Sequence, residues 1–351
     1  MIPQSPLVDS HGRTLRDLRI SVTDRCNFRC LYCLPETEAA ANFYRDRWRE
    51  KEQKPIHHDW KPKNEILSFE EIERITTIAA SAGIDKIRLT GGEPLLRKDI
   101  VTLVRKLSAI EGIKDLAMTT NGFLFPKYAQ ELKDAGLDRI SISLDSFDKA
   151  NFKRLTGRNG LEEVLQSVQV AKALGFDPVK VNAVVIRDIN DHEIEALCQF
   201  AIDEEISVRF IEFMPLDSSK AWQKEHVISK KEILDRLQNR FDLTPLTSSN
   251  ASETAKRWSV NQSKGELGII APVSEPFCGH CNRIRLTADG QIRTCLFSLH
   301  EHDLKPLLRG NTTDEEILTA LHQIVAKKEA GHRIGKADFV QPARTMSCIG
   351  G

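Results

Sequence analysis

The sequence predicts an α/β protein built on a partial (β/α)6 barrel of the TIM type, with a small C-terminal α+β region covering its open side. Two patterns lead to this prediction: strand-like runs alternate with helical patterns from residue 18 to about residue 215, and the alternation then stops. The length agrees with it, because 351 residues suffice for one barrel-sized domain with an extension or for two ordinary domains.

Six runs rich in Val, Ile and Leu are predicted to be strands covered on both faces; they span residues 18–23, 86–90, 116–120, 139–144, 179–186 and 207–213. Helical patterns separate them at residues 68–83, 100–109, 128–135, 161–174 and 193–202, and the first opens with the capping pair Ser68 and Glu71. Six units are too few to close the usual eight-stranded barrel. We therefore expect an open barrel whose active site lies at the C-terminal ends of the strands.

The pattern changes after a helix predicted at residues 230–240. Shorter strands are predicted at residues 257–260, 267–270, 283–287 and 291–295, followed by a helix at residues 314–329. The tail closes in Gly350-Gly351, which is compatible with a disordered chain end. We favour the alternative, in which two residues without Cβ enter the barrel and order the substrate side of the pocket. We divide the chain into an N-terminal extension (1–17), the barrel (18–228) and the C-terminal region (229–351).

One charged segment, residues 36–64, interrupts the alternation and contains Trp48, Trp60 and the pair His57-His58. Loops of this length are solvated insertions or lids, and we interpret this one as a solvated insertion.

Composition excludes several classes of protein. Lys plus Arg and Asp plus Glu both number 50, which argues against a nucleic-acid partner, and no apolar run approaches the roughly 20 residues of a membrane span. The N-terminus lacks the pattern of a signal peptide, so we expect a cytoplasmic protein. Eight cysteines in such a protein indicate metal binding or catalysis more than disulfides.

Three of these cysteines, Cys26, Cys30 and Cys33, lie just past the first predicted strand, at the mouth of the barrel. A structural zinc site needs four closed ligands, whereas a 4Fe-4S cluster held by three cysteines keeps one iron open for a small molecule. Spacing alone leaves a partial zinc site as the alternative.

The C-x3-C-x2-C spacing, with Tyr32 before the last cysteine, resembles the motif of the radical S-adenosylmethionine superfamily. The resemblance implies that the open iron chelates S-adenosylmethionine and that one electron cleaves it to a 5′-deoxyadenosyl radical. Three more positions at strand ends resemble the family's contacts to this cofactor: Gly92, in the segment 91–94, Ser143 and Met214. Taken singly, each would be explained as a turn or packing residue.

A second triplet, Cys278, Cys281 and Cys295, lies in the C-terminal region. Zinc competes more strongly here, because C-x2-C pairs are common in zinc sites and His300 could complete a Cys3His set.

The segment 278–285, Cys295 and the terminal Gly-Gly closely resemble the GTP 3′,8-cyclase family of molybdenum cofactor biosynthesis, over nearly the whole chain. The resemblance implies a lyase with two 4Fe-4S clusters and S-adenosylmethionine, which converts GTP to (8S)-3′,8-cyclo-7,8-dihydroguanosine 5′-triphosphate. The open iron of the second cluster would bind the guanine base. The residues that match the family's GTP contacts are Arg19, Arg88, Thr119, Lys180, Arg283 and Arg285.

The resemblance also implies partners: an electron donor and, as the next enzyme, cyclic pyranopterin monophosphate synthase. It allows a homodimer and implies no membrane or nucleic-acid partner. The insertion is longer than the family pattern, and Cys348 stands where an aromatic is anticipated. We interpret Cys348 as a bystander and Cys198 as a core residue on a helix face.

Two rival functions remain at this point. One is a radical S-adenosylmethionine enzyme whose auxiliary cluster serves the modification of a peptide; it would need neither the basic residues at the strand ends nor the terminal Gly-Gly. The other is an adaptor in which both triplets bind zinc. The sequence names no general acid or base.

Overall fold

The computed structural model describes residues 5–41, 43, 54–217, 220, 222–248 and 250–350. Trp48 of the insertion, Gly351 of the tail and the first four residues of the extension lie outside the described residues.

Six parallel strands form the barrel, and their order in the sheet is their order in the chain. They are β1 (Asp17–Ser21), β2 (Lys86–Thr90), β3 (Asp115–Thr120), β4 (Arg139–Ser143), β5 (Lys180–Val185) and β6 (Ser207–Glu212). The predicted barrel strands are therefore confirmed, with ends that agree to within two residues.

Helices follow these strands on the outside of the sheet. They are α1 (Glu38–Ala41), α2 (Phe69–Ser81), α3 (Ile100–Ser108), α4 (Phe125–Asp134), α5 (Lys149–Thr156), α6 (Leu161–Ala173), α7 (Ile194–Asp203) and α8 (Lys230–Gln238). The capping box at Ser68 and Glu71 begins α2 as predicted. Helix α5 was not predicted; Asp148 caps its start through the Asn151 N–H, and Gly157 ends it in the left-handed conformation.

The C-terminal region extends both edges of the barrel sheet. Its strands are β7 (Leu243–Leu246), β8 (Lys256–Val260), β9 (Glu266–Ile270), β10 (Arg283–Leu286), β11 (Gln291–Arg293) and β12 (His302–Asp303). Strand β9 pairs in parallel with β6, and β10 pairs in parallel with β1. In the described part of the chain, the result is one sheet with the order β12-β11-β10-β1-β2-β3-β4-β5-β6-β9-β8-β7.

The helices α9 (Lys305–Arg309), α10 (Asp314–Val325) and α11 (Met346–Ile349) complete the fold. The favoured prediction, a tail that enters the barrel, describes residues 346–350, because Ile349 is 0% exposed and Gly350 is packed at the barrel mouth. The other interpretation, a disordered chain end, does not describe these residues.

The sheet separates an apolar outer face from a polar interior, because successive residues of a strand point to opposite faces. In β1, Leu18 and Ile20 belong to the core between sheet and helices, whereas Arg19 lines the interior cavity. In β2, Ile87 joins the same core and Arg88 points inwards to the side chain of Thr119. Cations predicted to face the interior therefore do so.

Of the described helices, none has the length and apolar character needed to cross a membrane.

Candidate active site

Both cysteine loops open onto one cavity of about 330 Å³ at the C-terminal ends of the barrel strands. The predicted site residues that line it are Cys26, Cys30, Cys33, Cys278, Cys281, Cys295, Tyr32, Gly92, Ser143, Met214, Arg19, Thr119, Arg283 and Arg285. Arg88 and Lys180 were predicted with them but do not line the cavity. Cysteines about 250 positions apart in the chain therefore line the same cavity.

The first cysteine loop is a compact turn stabilised by hydrogen bonds between its own residues. The Phe28 N–H donates to Cys26 Sγ at 3.4 Å, and the Cys33 N–H donates to the Cys30 carbonyl at 3.0 Å. Arg29 donates to the Cys26 carbonyl at 2.6 Å and to the Phe28 carbonyl at 2.8 Å. These bonds shape the loop whose three thiols line the cavity.

The turn after β2 supports this loop through its backbone. The Gly92 N–H donates to the Thr23 carbonyl at 2.8 Å, and the Glu93 N–H donates to the Arg25 carbonyl at 2.8 Å. A Cβ on Gly92 would lie 2.2 Å from that Arg25 carbonyl oxygen. Glycine is therefore required at residue 92 by the close approach of two backbones.

Glu93 extends the support to β3. Its buried carboxylate accepts hydrogen bonds from the Thr120 hydroxyl and the Asn121 N–H, both at 2.7 Å, and burial raises its pKa to about 7. The Asn121 side chain then donates to Asn27 at 2.8 Å, within the first cysteine loop. The strand ends and the loop thus form one hydrogen-bonded unit.

Asp145 was missed by the sequence analysis, although it lines the cavity two residues beyond Ser143. The Tyr32 hydroxyl donates to its carboxylate at 2.5 Å, and the Val184 N–H donates to it at 2.8 Å. Burial raises the pKa of Asp145 to about 6. The contact fixes the aromatic ring of the first cysteine motif against the end of β4, across 113 residues of sequence.

The first triplet lies in surroundings that disfavour thiolates in the metal-free chain. Burial, and next the neighbouring Glu93 carboxylate, raise the pKa of Cys26 to about 11. Burial and the charge of Cys26 raise the pKa of Cys33 to about 12. Metal binding must therefore displace protons here, as thiolate ligation requires.

The second triplet is mixed: burial raises the pKa of Cys295, whereas Cys281 lies beside cations. Burial alone would raise the pKa of Cys281, but Arg283 and Lys328 outweigh it and bring this pKa to about 6. Gly331 packs directly on the loop, since a Cβ there would lie 2.8 Å from Cys278 Cβ and 3.1 Å from its Sγ.

The donor sets fit 4Fe-4S clusters. All eight cysteines have free thiols, and each triplet presents three of them to the cavity. Among the residues described, no three His, Cys, Asp or Glu side chains converge closely enough to hold a single metal ion. A cluster does not need such convergence, because each of its irons takes its own cysteine.

Three arginines lie abreast inside the barrel. Arg19 is the register partner of Arg88 on one side and of Arg285 on the other, on adjacent parallel strands. Burial lowers the pKa of all three, and their mutual repulsion lowers it further for Arg88 and Arg285. Like charges side by side are destabilising, so this row favours an anion as its partner.

Two of the predicted basic residues, Arg88 and Lys180, lie inside the barrel without lining the cavity. Arg88 donates to the hydroxyls of Thr119 at 3.2 Å and Ser141 at 3.3 Å. Lys180 begins β5 beside Ser141 and is 7% exposed; burial, and then Arg209 and its neighbours, lower its pKa to about 6. The sequence analysis missed Arg209, whose place as the third residue of β6 could have identified it as an interior residue.

The tail enters the same space. Arg285 donates to the carbonyl of Gly350, and a Cβ on Gly350 would lie 2.4 Å from Thr90 Cγ2 and 2.6 Å from Ser21 Oγ. Gly350 therefore lies between the ends of β1 and β2, next to an arginine predicted to bind substrate.

Comparisons with known proteins agree with this geometry. The family model described as "Radical SAM superfamily" matches residues 20–201, and the one described as "Molybdenum Cofactor Synthesis C" matches residues 206–334. A protein of Rhodopirellula baltica named GTP 3′,8-cyclase is 42% identical over 98% of this chain and 92% of its own length. The chain belongs to the GTP 3′,8-cyclase family. A GTP 3′,8-cyclase of Thermodesulfovibrio yellowstonii is 43% identical over 98% of this chain and 99% of its own length.

Membership of the GTP 3′,8-cyclase family makes the protein an enzyme, a radical S-adenosylmethionine lyase of molybdenum cofactor biosynthesis with 4Fe-4S clusters. This membership excludes the hypothesis that the protein is a zinc-binding adaptor. Among solved structures, Streptococcus suis SuiB bound to its precursor peptide SuiA shares the fold: the TM-score is 0.59 at 15% identity, over 90% of this chain and 68% of that one. That likeness concerns the fold alone.

Proposed function

We propose that this enzyme converts GTP to (8S)-3′,8-cyclo-7,8-dihydroguanosine 5′-triphosphate in the cavity between its two cysteine loops. One observation carries the proposal: six cysteines and the arginines Arg19, Arg283 and Arg285 line the same cavity. A peptide substrate would not need these three cations, whereas a triphosphate does.

Cys26, Cys30 and Cys33 are proposed to hold the first cluster and to leave one iron for S-adenosylmethionine. When bound, these two groups supply the radical that opens the reaction at the ribose 3′ carbon of GTP. Tyr32, Gly92, Ser143 and Met214 line this side of the cavity and would position the cofactor. Asp145 holds Tyr32 in place for that role.

Cys278, Cys281 and Cys295 are proposed to hold the second cluster, whose open iron would bind the guanine base. The triphosphate would then lie against Arg19, Arg283 and Arg285. It would also reach Thr119, Arg88 and Lys180 inside the barrel. Several fixed cations in a site of low dielectric bind a polyanion strongly and orient it without further rearrangement.

The tail is proposed to complete the wall of the substrate side. Gly350 occupies the gap between β1 and β2, and α11 packs behind it through Ile349 and Met346. A closed wall keeps water from a reactive radical, which protects the reaction from quenching.

The test is anaerobic turnover of the protein reconstituted with iron and sulfide. With GTP, S-adenosylmethionine and a strong one-electron reductant, we expect 5′-deoxyadenosine together with an isomer of GTP. Formation of 5′-deoxyadenosine without any GTP-derived isomer would contradict the substrate assignment. Guanosine, which lacks the triphosphate, is the matched control and should be converted poorly.

We further propose a cytoplasmic location, an electron-donating protein as reductant, and cyclic pyranopterin monophosphate synthase as the enzyme that consumes the product. The homodimer stays a prediction as well. Light scattering on the reconstituted protein, with GTP present, tests it directly.

A further inference from the structure

Two buried cations outside the proposed GTP contacts hold the second cysteine loop. Lys328 is 3% exposed and Arg13 is 9% exposed, yet both side chains are long and charged. Arg13 precedes β1 and Lys328 follows α10, so the two cations reach the loop from widely separated parts of the chain.

Lys328 joins the two segments that carry Cys281 and Cys295. Its Nζ donates to the carbonyl of Arg283, two residues after Cys281, at 2.9 Å. It also donates to the carbonyl of Thr294, immediately before Cys295. One ammonium group thus fixes the distance between the backbones of two cysteines of the triplet.

Arg13 donates a hydrogen bond to the backbone of the remaining cysteine, Cys278. Its guanidinium donates to the carbonyls of Cys278 at 2.8 Å, Ala330 at 2.9 Å and Glu329 at 2.6 Å. It also pairs with Asp9 at 2.6 Å, so its charge is balanced locally.

Lys328 forms no such ion pair. Within the described residues, no carboxylate lies at salt-bridge distance from its Nζ; the adjacent Glu329 attracts it electrostatically but accepts its hydrogen bond from the Thr294 hydroxyl, at 2.7 Å. Burying an ammonium without a directly paired carboxylate is expensive. Three thiolates bound to a 4Fe-4S cluster would add negative charge beside Lys328.

We propose that Lys328 is a positioning residue of the second cluster: it fixes the backbones of Cys281 and Cys295, and its charge makes that cluster easier to reduce. Reduction adds an electron to the cluster, and a fixed positive charge in a medium of low dielectric stabilises the added electron. Net charge and hydrogen bonding around a cluster are established determinants of its potential. The inference rests on the proposed function, because it requires a cluster on Cys278, Cys281 and Cys295.

The experiment isolates the second cluster. In a background with Cys26, Cys30 and Cys33 replaced by Ala, only this cluster contributes to the electron paramagnetic resonance spectrum. Lys328→Met removes the charge at similar length, and Lys328→Arg keeps it. Lys327→Met is the matched control, because it removes the same charge from an exposed neighbour.

Iron content and the midpoint potential of the cluster are measured for each variant. We expect Lys328→Met either to load less cluster or to load it with a lower midpoint potential, while Lys328→Arg and Lys327→Met stay close to the parent. A fully loaded Lys328→Met variant with the parent's potential would overturn the inference. So would equal loss of cluster in Lys328→Met and Lys328→Arg, since the charge would then be irrelevant. If the parent background itself bound no cluster, the proposed function of the second triplet would fail, whatever Lys328 does.

Discussion

Gly350→Ala is the sharpest test of the tail. The new Cβ would lie 2.4 Å from Thr90 Cγ2 and 2.6 Å from Ser21 Oγ, where carbon contacts normally require about 3.5–4.0 Å. The substitution also places a Cβ at a φ of +68°, a left-handed conformation that costs about 1–2 kcal/mol in any residue other than glycine. Steric and conformational strain therefore act together.

A matched glycine separates the two effects. Gly175 has a φ of +67° and no atom within 4 Å of its added Cβ, so Gly175→Ala carries the conformational strain alone. The difference between the variants is the cost of overpacking, which we take as about 2–3 kcal/mol because about 1 Å is missing at two contacts. That cost shifts the equilibrium from a packed tail to a displaced tail by roughly 30- to 160-fold.

The assay measures three quantities in anaerobic turnover: cluster content, 5′-deoxyadenosine and the cyclised nucleotide. Gly350→Ala should lose the cyclised nucleotide far more than Gly175→Ala does, because the tail is proposed to close the substrate side. Cluster content is measured beside it, since the Ser347 backbone hydrogen-bonds to Cys33 in the first cysteine loop. Wild-type cyclisation by Gly350→Ala would refute the reasoning, and so would an equal loss in the two glycine variants.

Three further predictions concern the cysteine loops and the cations inside the barrel. Cys26→Ser should abolish 5′-deoxyadenosine formation, and retained formation would contradict the assignment of the first triplet. Cys281→Ser should remove only the second cluster and leave the spectrum of the first. Two clusters in Cys281→Ser would contradict the assignment of the second triplet. Gly331→Ala should reduce iron content by up to half, since its Cβ would press on Cys278 at 2.8 Å, and an unchanged content would show that the loop can yield. Lys180, with a pKa of about 6, is neutral at pH 7.5 in the free protein, so a triphosphate that restores its charge should bind with uptake of close to one proton. Calorimetry in buffers of different ionisation enthalpy measures this uptake, which Lys180→Met should abolish; the same uptake in that variant would assign the proton elsewhere.

The parts of the site that could be predicted from sequence are reactive residues that lie close together in the chain or at the ends of predictable strands. Cys26, Cys30 and Cys33 lie within eight residues, and β-rich runs place Ser143 and Met214 at or just beyond strand ends. Parallel strands end at the same edge of a sheet, so these local patterns imply one common site without any knowledge of contacts.

The remaining parts depend on contacts between distant residues. The hydrogen bond from Tyr32 to Asp145 spans 113 residues, and the bond from Arg13 to the Cys278 carbonyl spans 265. The burial of Lys328 could not be predicted from its residue type either, because lysines are mostly exposed. It follows from the packing around the second cysteine loop. The edge strand β7 contains Pro245, which weakens the strand pattern in sequence although its place at the sheet edge tolerates proline.

The pairing of β10 with β1 and of β9 with β6 has a consequence for how the chain can be divided. Without residues 229–351, both β1 and β6 would become sheet edges with unpaired N–H and C=O groups, and each carries apolar core residues, such as Leu18 and Phe210. Exposed edges of this kind pair with other chains and aggregate. The barrel segment 18–228 expressed alone should therefore precipitate, even though it holds a complete first cysteine loop. The C-terminal region should therefore protect both sheet edges from pairing with other chains, and the same region carries the second cysteine triplet.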